Sequence, residues 1–196
     1  VNPLGTGIHL QAIMRAAGVQ PRHGEHVRDT LAQAFGVTGD VGWRTHIDAP
    51  RHGRIVICPH ASAEYKEWPE DRWEAVLDAW PEAVVIPGPG RKLCGLPGLH
   101  ADRDVLTRTI AGARLLIGVD SGPVHLADAL GVPVIGLYAA TSAVTYGPYN
   151  DPSRCIDRHR QATAELGLPY DSARHLRSGR AMHHISVDDV LGAIRD

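Results

Sequence analysis

The sequence predicts an α/β fold, a parallel sheet covered by helices on both faces. Three observations predict it. From Arg54 onward, short apolar runs alternate with stretches whose apolar residues recur at helical spacing. The short runs are continuously apolar rather than alternating, which means burial on both faces and therefore parallel pairing. The connections between runs are short, as in successive βα units. Together these define a Rossmann-like domain over residues 51–196, preceded by a helical segment and linker over residues 1–50.

The elements follow in order. "IHLQAIMRAAG" sets Ile8, Ile13 and Ala16 or Ala17 on one face before Gly18, and "EHVRDTLAQAFG" repeats the plan with Val27, Leu31 and Phe35 before Gly36. "THIDAPRHG", Thr45 to Gly53, reads as the linker. "RIVIC" is the first strand. "PEDRWEAVLDAW" starts on Pro69 and carries a stripe of Trp73, Val76, Leu77 and Trp80. "AVVI", "RLLIGV" and "PVIGLY" are further strands, with "DRDVLTRTIAGA" and "PVHLADAL" as helices between them. Asp151 to Ser178 is polar and is expected to be irregular. "ISVDDVLGAIRD" closes the chain as a helix, with Ser186 and Asp189 at capping-box spacing and Val190 and Ile194 as its packing stripe.

Composition narrows the function. The chain has 196 residues, 43% hydrophobic and 21% charged, with a net charge of -2. That is enough chain for one core, and it lacks the basic surplus of a general nucleic-acid binder. No apolar run reaches the roughly 18 residues that span a bilayer, and no signal peptide is expected before the fold. Cys58, Cys94 and Cys155 lack CxxC spacing, so neither a zinc site nor a disulfide framework is expected, and a reducing cytoplasm is the default. The 12 histidines are scattered and read as surface or hydrogen-bonding residues.

In open parallel sheets, ligands bind beyond the carboxyl ends of the strands. Three such ends are polar or glycine-rich: "PHASAEYKEWP" with His60, Ser62 and Lys66, "PGPGRK" with Gly88, Gly90, Arg91 and Lys92, and "DSGPVH" with Asp120, Ser121, Gly122 and His125. A turn of this last kind, opening a helix, offers backbone N–H groups to an anion. Each piece also has a plain structural reading. Gly88 and Gly90 serve turns, Lys66 is a solvated cation, Trp68 and Trp73 pack, Ser121 caps a helix and His125 is a satisfied imidazole. No G-x-G-x-x-G follows the first strand, which argues against a dinucleotide-binding oxidoreductase.

The combination is more specific. "ICPHASAEYKEWPEDRW", "IAGARLLIGVDSGPVHLADALGVPVIGLY", "AT" and "GPY" make residues 54–149 resemble the C-terminal, donor-binding domain of glycosyltransferase family 9, the ADP-heptose:lipopolysaccharide heptosyltransferases with the GT-B fold. The resemblance implies inverting transfer of a sugar from a nucleoside-diphosphate sugar, ADP-heptose foremost, to an acceptor hydroxyl of a glycan or glycolipid. It implies no metal and a cytoplasmic protein, either free or peripheral at the inner face of the membrane. Lys66 and Asp120 would be the catalytic pair, with Lys66 offsetting diphosphate charge and Asp120 accepting from sugar hydroxyls. His60, Ser62, Ser121, Gly122, His125 and Thr141 would complete the donor seat.

Two departures stand beside the likeness. The family takes its general base from an aspartate in an N-terminal glycine-rich loop. In "NPLGTGIHLQAIMRAAG" Thr6 stands at that position, and Asp29 is the first aspartate of the chain. Two domains of about 150 residues would need roughly 300. The expectation is therefore a short or split enzyme needing a partner chain or second copy for its acceptor domain, with Asp29, Asp48 and Glu64 as fallback bases. The alternative is a non-catalytic nucleotide-sugar-binding module or remnant. The second departure is "YAAT", Tyr138 to Thr141, in place of a Gly-Pro-Thr-like loop, which is expected to cost backbone freedom beside the donor.

Overall fold

A computed structural model describes residues 24–36, 44–95, 102–168, 176–177 and 179–196. The chain divides into two compact units, Val1–Gly42 and Trp43–Asp196. The expected helix around Ile8 to Ala17, and the loop holding Thr6, lie outside the described residues.

In the first unit, α1 (Val27–Ala34) starts where His26 accepts the Arg28 amide on Nδ1 and stops before Gly36, whose φ of 65° favours glycine. Val27 and Thr30 are buried, whereas Phe35, expected on the apolar stripe, is 62% exposed. The helix ends at Ala34, so Phe35 sits at the cap and leaves the helical register.

The second unit begins with an extended stretch. Its backbone is fastened rather than loose, since Thr45 N–H donates to Ala129 O at 2.8 Å and His52 N–H to Gly112 O at 2.9 Å. The elements that follow are β1 (Ile55–Cys58), a 3-10 turn (Glu64–Lys66), α2 (Glu70–Ala79), β2 (Val84–Val85), α3 (Arg103–Ala111) and β3 (Leu115–Val119). After them come α4 (Gly122–Ala129), β4 (Val134–Tyr138), α5 (Ala143–Tyr146), β5 (Ile156–Asp157), α6 (His159–Glu165), a second 3-10 turn (Ala181–His184) and α7 (Val187–Arg195). All strand pairs are parallel, in the order β2-β1-β3-β4-β5.

Side chains alternate across this sheet. Ile55, Ile57, Leu115, Ile117, Val119, Ile135 and Leu137 join one core with Trp73 and Val76 of α2 and Val190 and Ile194 of α7. Val56, Cys58, Leu116 and Val134 join a second core with Ile110 of α3 and Val124 and Ala127 of α4. Both faces are therefore apolar and covered, as continuous strand hydrophobicity required. Local signals set the helix ends. Asp102 accepts the Val105 amide at 2.9 Å to open α3, and Ser186 and Asp189 form a reciprocal capping box at α7.

The tail departs from expectation. Residues 151–178 contain a strand and a helix, β5 and α6, where irregular chain was expected. β5 is only two residues long and acquires its conformation by pairing with Leu137 and Tyr138 of β4. Neither its length nor the polar run "DRHRQATAE" carries a periodic signal, so the partner strand makes the element.

Candidate functional site

The strand order reverses direction between β1 and β3, which makes their carboxyl ends the switch point where ligands enter an open parallel sheet. The loop after β1 carries Lys66, and the turn after β3 carries Asp120, Ser121 and Gly122. A cleft of about 780 Å³ opens there, lined by His60, Ser62 and Ala61 from the first loop, Ser121 and Gly122 from the second, and Gly88 and Arg91 from the loop after β2. Three loops expected to share one rim do share it.

Lys66 and Asp120 meet directly. Lys66 Nζ lies 2.6 Å from Asp120 Oδ2, and both side chains are largely shielded, at 16% and 9% exposure. The plain reading of Lys66 as a solvated cation is therefore wrong. Its loop folds back in the Glu64–Lys66 turn, and Trp68 immediately after is buried. Thr141 donates its hydroxyl to the same Oδ2 at 2.8 Å. His125, on the first turn of α4, brings Nε2 to 4.0 Å from Asp120 Oδ1. Lys66, Asp120, Thr141 and His125 thus form one cluster. His60, Ser62, Ser121 and Gly122 line the cleft beside it, and the Asp120–Ser121 peptide joins the two groups.

Ser121 occupies the cap position of α4 but makes no capping bond, and its Oγ is buried without a hydrogen-bond partner. The structural explanation for this serine thus fails, and its hydroxyl and the neighbouring amides stand at the positive end of a helix dipole. Gly118, in β3 just before this turn, is a packing requirement. A Cβ there would meet Cys58 O at 3.0 Å and Val124 Cγ2 at 3.1 Å, so glycine lets α4 approach the sheet.

His60 ties two loops together. Its Nδ1 accepts the Gly88 amide at 3.0 Å, which leaves Nε2 as the protonated nitrogen of the neutral ring. Burial, with the nearby Arg91 guanidinium adding to it, holds the His60 pKa below its ordinary value. Glu67 makes a second tie, with one carboxylate oxygen accepting from Ala61 N at 3.1 Å and Arg91 at 2.5 Å. Lys92 instead borders a separate cavity of about 150 Å³. Trp68 and Trp73 pack edge to face with centroids 4.9 Å apart, and Trp68 Nε1 donates to Ile185 O.

The "YAAT" loop is not strained. Ala139 and Ala140 are buried, and among the described residues Cys94 is the single non-glycine residue with positive φ, so no glycine is needed here. The loop is held by groups the sequence reading did not single out. His159 Nδ1 lies 2.8 Å from Ala139 O, Leu176 N donates to Ala140 O, and Asp157 Oδ2 accepts from Ser142 Oγ at 3.0 Å and Ala143 N at 2.7 Å. Their signal was hidden in the tail taken as irregular.

Of the fallback bases, Asp48 and Glu64 are exposed, and Asp29 belongs to α1 of the first unit. Among the described residues no cluster of three or more His, Cys, Asp or Glu could hold a metal ion, and no helix is long and apolar enough to cross a membrane.

A five-stranded parallel sheet with polar loops gathered at its switch point defines the class, a Rossmann-like domain. Over part of its length it is similar to glycosyltransferase family 9, the family the motifs resembled: residues 100–171 match the description "Glycosyltransferase family 9 (heptosyltransferase)". Over 94 residues the chain is 34% identical to the lipopolysaccharide core heptosyltransferase OpsX of Haemophilus influenzae, covering 46% of this chain and 27% of that one. Over 116 residues it is 31% identical to lipopolysaccharide heptosyltransferase 3 of Escherichia coli, covering 50% and 34%. The chain thus spans between about a quarter and a third of the length of these relatives. Among solved structures, a glycosyl transferase family 9 protein from Veillonella parvula superposes with a TM-score of 0.60 at 20% identity, over 87% of this chain and 59% of that one. E. coli heptosyltransferase WaaC with ADP gives 0.56 at 19% identity, over 86% and 54%. The iron-containing dodecameric glycosyltransferase TibC of E. coli has the same fold, with a TM-score of 0.54 at 18% identity, over 87% and 52%.

Proposed function

We propose that this chain is the donor-binding half of a heptosyltransferase-type glycosyltransferase of GT-B architecture, acting in lipopolysaccharide biosynthesis. It takes a nucleoside-diphosphate sugar, ADP-heptose foremost, and serves inverting transfer to a hydroxyl of a glycan or glycolipid acceptor. The observation that carries this reading is the Lys66–Asp120 contact beside the Ser121–Gly122 turn. An ammonium close to a helix N-terminus that lines the cleft suits a diphosphate, and a carboxylate between them suits sugar hydroxyls.

In this reading the diphosphate lies along Ser121, Gly122 and His125, with the nucleoside in the cleft between His60, Ser62 and Gly88. Lys66 offsets the charge that grows on the diphosphate as the glycosidic bond breaks, and Asp120 Oδ1 takes a hydroxyl of the sugar. Charge on Lys66 and the α4 amides does the work a divalent metal does elsewhere, so the reaction is metal-independent. The base that deprotonates the acceptor comes from a second Rossmann-like domain and not from residues 51–196. The protein works in the cytoplasm, at the inner face of the membrane where a glycolipid acceptor is presented.

Calorimetric titration with ADP-heptose tests this. Wild type binds, while Lys66→Ala and Asp120→Ala each weaken binding at least about tenfold, equivalent to about 1.4 kcal/mol. Binding that is equally weak in all three proteins overturns it. The purified chain alone, with or without chelator, transfers no sugar; robust turnover would place the base among Asp29, Asp48 and Glu64.

A further inference from the structure

We infer that Thr141 is a positioning residue for the Lys66–Asp120 pair, and that its loop is clamped for this purpose by Asp157 and His159. This rests on the donor-seat reading of the site but assigns Thr141 a different part in it. The sequence reading put Thr141 among the groups that touch the donor. Its side chain is instead buried, at 1% exposure, and its hydroxyl is spent on Asp120 Oδ2. It acts through Asp120.

The geometry explains why a second donor on that oxygen matters. Asp120 Oδ2 takes the Lys66 ammonium at 2.6 Å and the Thr141 hydroxyl at 2.8 Å. Two donors from different loops fix the rotation of a carboxylate about its last bond, where one flexible lysine fixes it poorly. With Oδ2 turned inward, Oδ1 is the oxygen directed toward the His125 side. The hydroxyl therefore sets the plane in which the other carboxylate oxygen is offered to a ligand.

Thr141 can do this only if its own backbone is held. Asp157 is the hub: Oδ2 accepts from Ser142 Oγ and Ala143 N, and Oδ1 accepts the His159 amide at 2.8 Å. His159, 2% exposed, engages Ala139 O from the other side of the loop. Residues 139–143 are thus tied to β5 and α6 on both flanks of Thr141. The short β5 and the polar helix after it have a purpose here, because they carry the clamp to the site.

The test compares ADP-heptose with ADP on wild type, Thr141→Val and Thr141→Ser. Valine keeps the shape and removes the hydroxyl; serine keeps the hydroxyl. ADP lacks the sugar that Asp120 faces. We expect Thr141→Val to bind ADP-heptose about tenfold more weakly, to bind ADP within twofold of wild type, and Thr141→Ser to recover most of the difference. If Thr141→Val does not fold, Thr141→Ala carries the same comparison. Equal weakening toward both ligands overturns positioning in favour of a general structural role. So does a variant indistinguishable from wild type. If wild type binds neither ligand, the donor-seat reading falls and this inference falls with it, whereas binding by wild type with no selective loss in the variant sinks this inference alone.

Discussion

Trp68 and Ile185 are 117 residues apart in sequence and joined by one hydrogen bond, from the indole Nε1 to the Ile185 carbonyl at 2.9 Å. Trp68 is the second residue after Lys66, so the bond anchors the Lys66 loop to the segment leading into α7. Arg72 donates to the same carbonyl and to His183 O. The segment leading into α7 therefore holds the Lys66 loop in place.

Trp68→Phe is expected to lower stability by about 1–2 kcal/mol, the loss of a buried hydrogen bond plus part of the ring volume, with Arg72 still satisfying the carbonyl. Urea unfolding measures it. An unchanged midpoint would show that the anchor contributes nothing.

Gly118→Ala is expected to destabilise by about 1–3 kcal/mol, because its methyl group would press on Cys58 O and Val124 Cγ2. The strain falls on the approach of α4 to β3, so donor affinity should fall along with the melting temperature. A variant that melts and binds like wild type would show that α4 has room the packing does not indicate.

His60 makes stability depend on pH. Its folded pKa lies below the ordinary value of 6.5, chiefly through burial, with Arg91 adding to it. The folded protein therefore prefers the neutral ring, and the unfolded chain binds more protons as pH falls below about 6.5. The contribution is complete above that pH and is lost as pH drops through the folded value. His60→Asn, whose carbonyl oxygen can accept the Gly88 amide in place of Nδ1, should remove this dependence. Melting at pH 7.5 and 5.5 should show wild type losing more stability than the variant, and parallel losses would refute the assignment.

Much of this was legible in the sequence. Apolar runs of four to six residues sited β1, β3 and β4, and stripes at helical spacing sited α2, α3 and α7. These elements depend on local pattern and on burial that a period reports directly. The rim loops were legible as well, because polar residues at the carboxyl ends of buried parallel strands have one place to go. β5 and α6 were not legible, since a two-residue strand exists only through its partner.

The order of residues alone determined the fold class, the two-faced burial of the sheet and the set of loops at its ligand edge, because each follows from short-range periodicity and chain direction. Only the tertiary structure decided that Lys66 is shielded and paired, that Thr141 serves Asp120, and that Asp157 and His159 hold the loop between. Those contacts join residues 14 to 54 positions apart. Hydrogen bonds of a few ångströms have no periodic trace in a chain, and they exist once the sheet has brought its loops together.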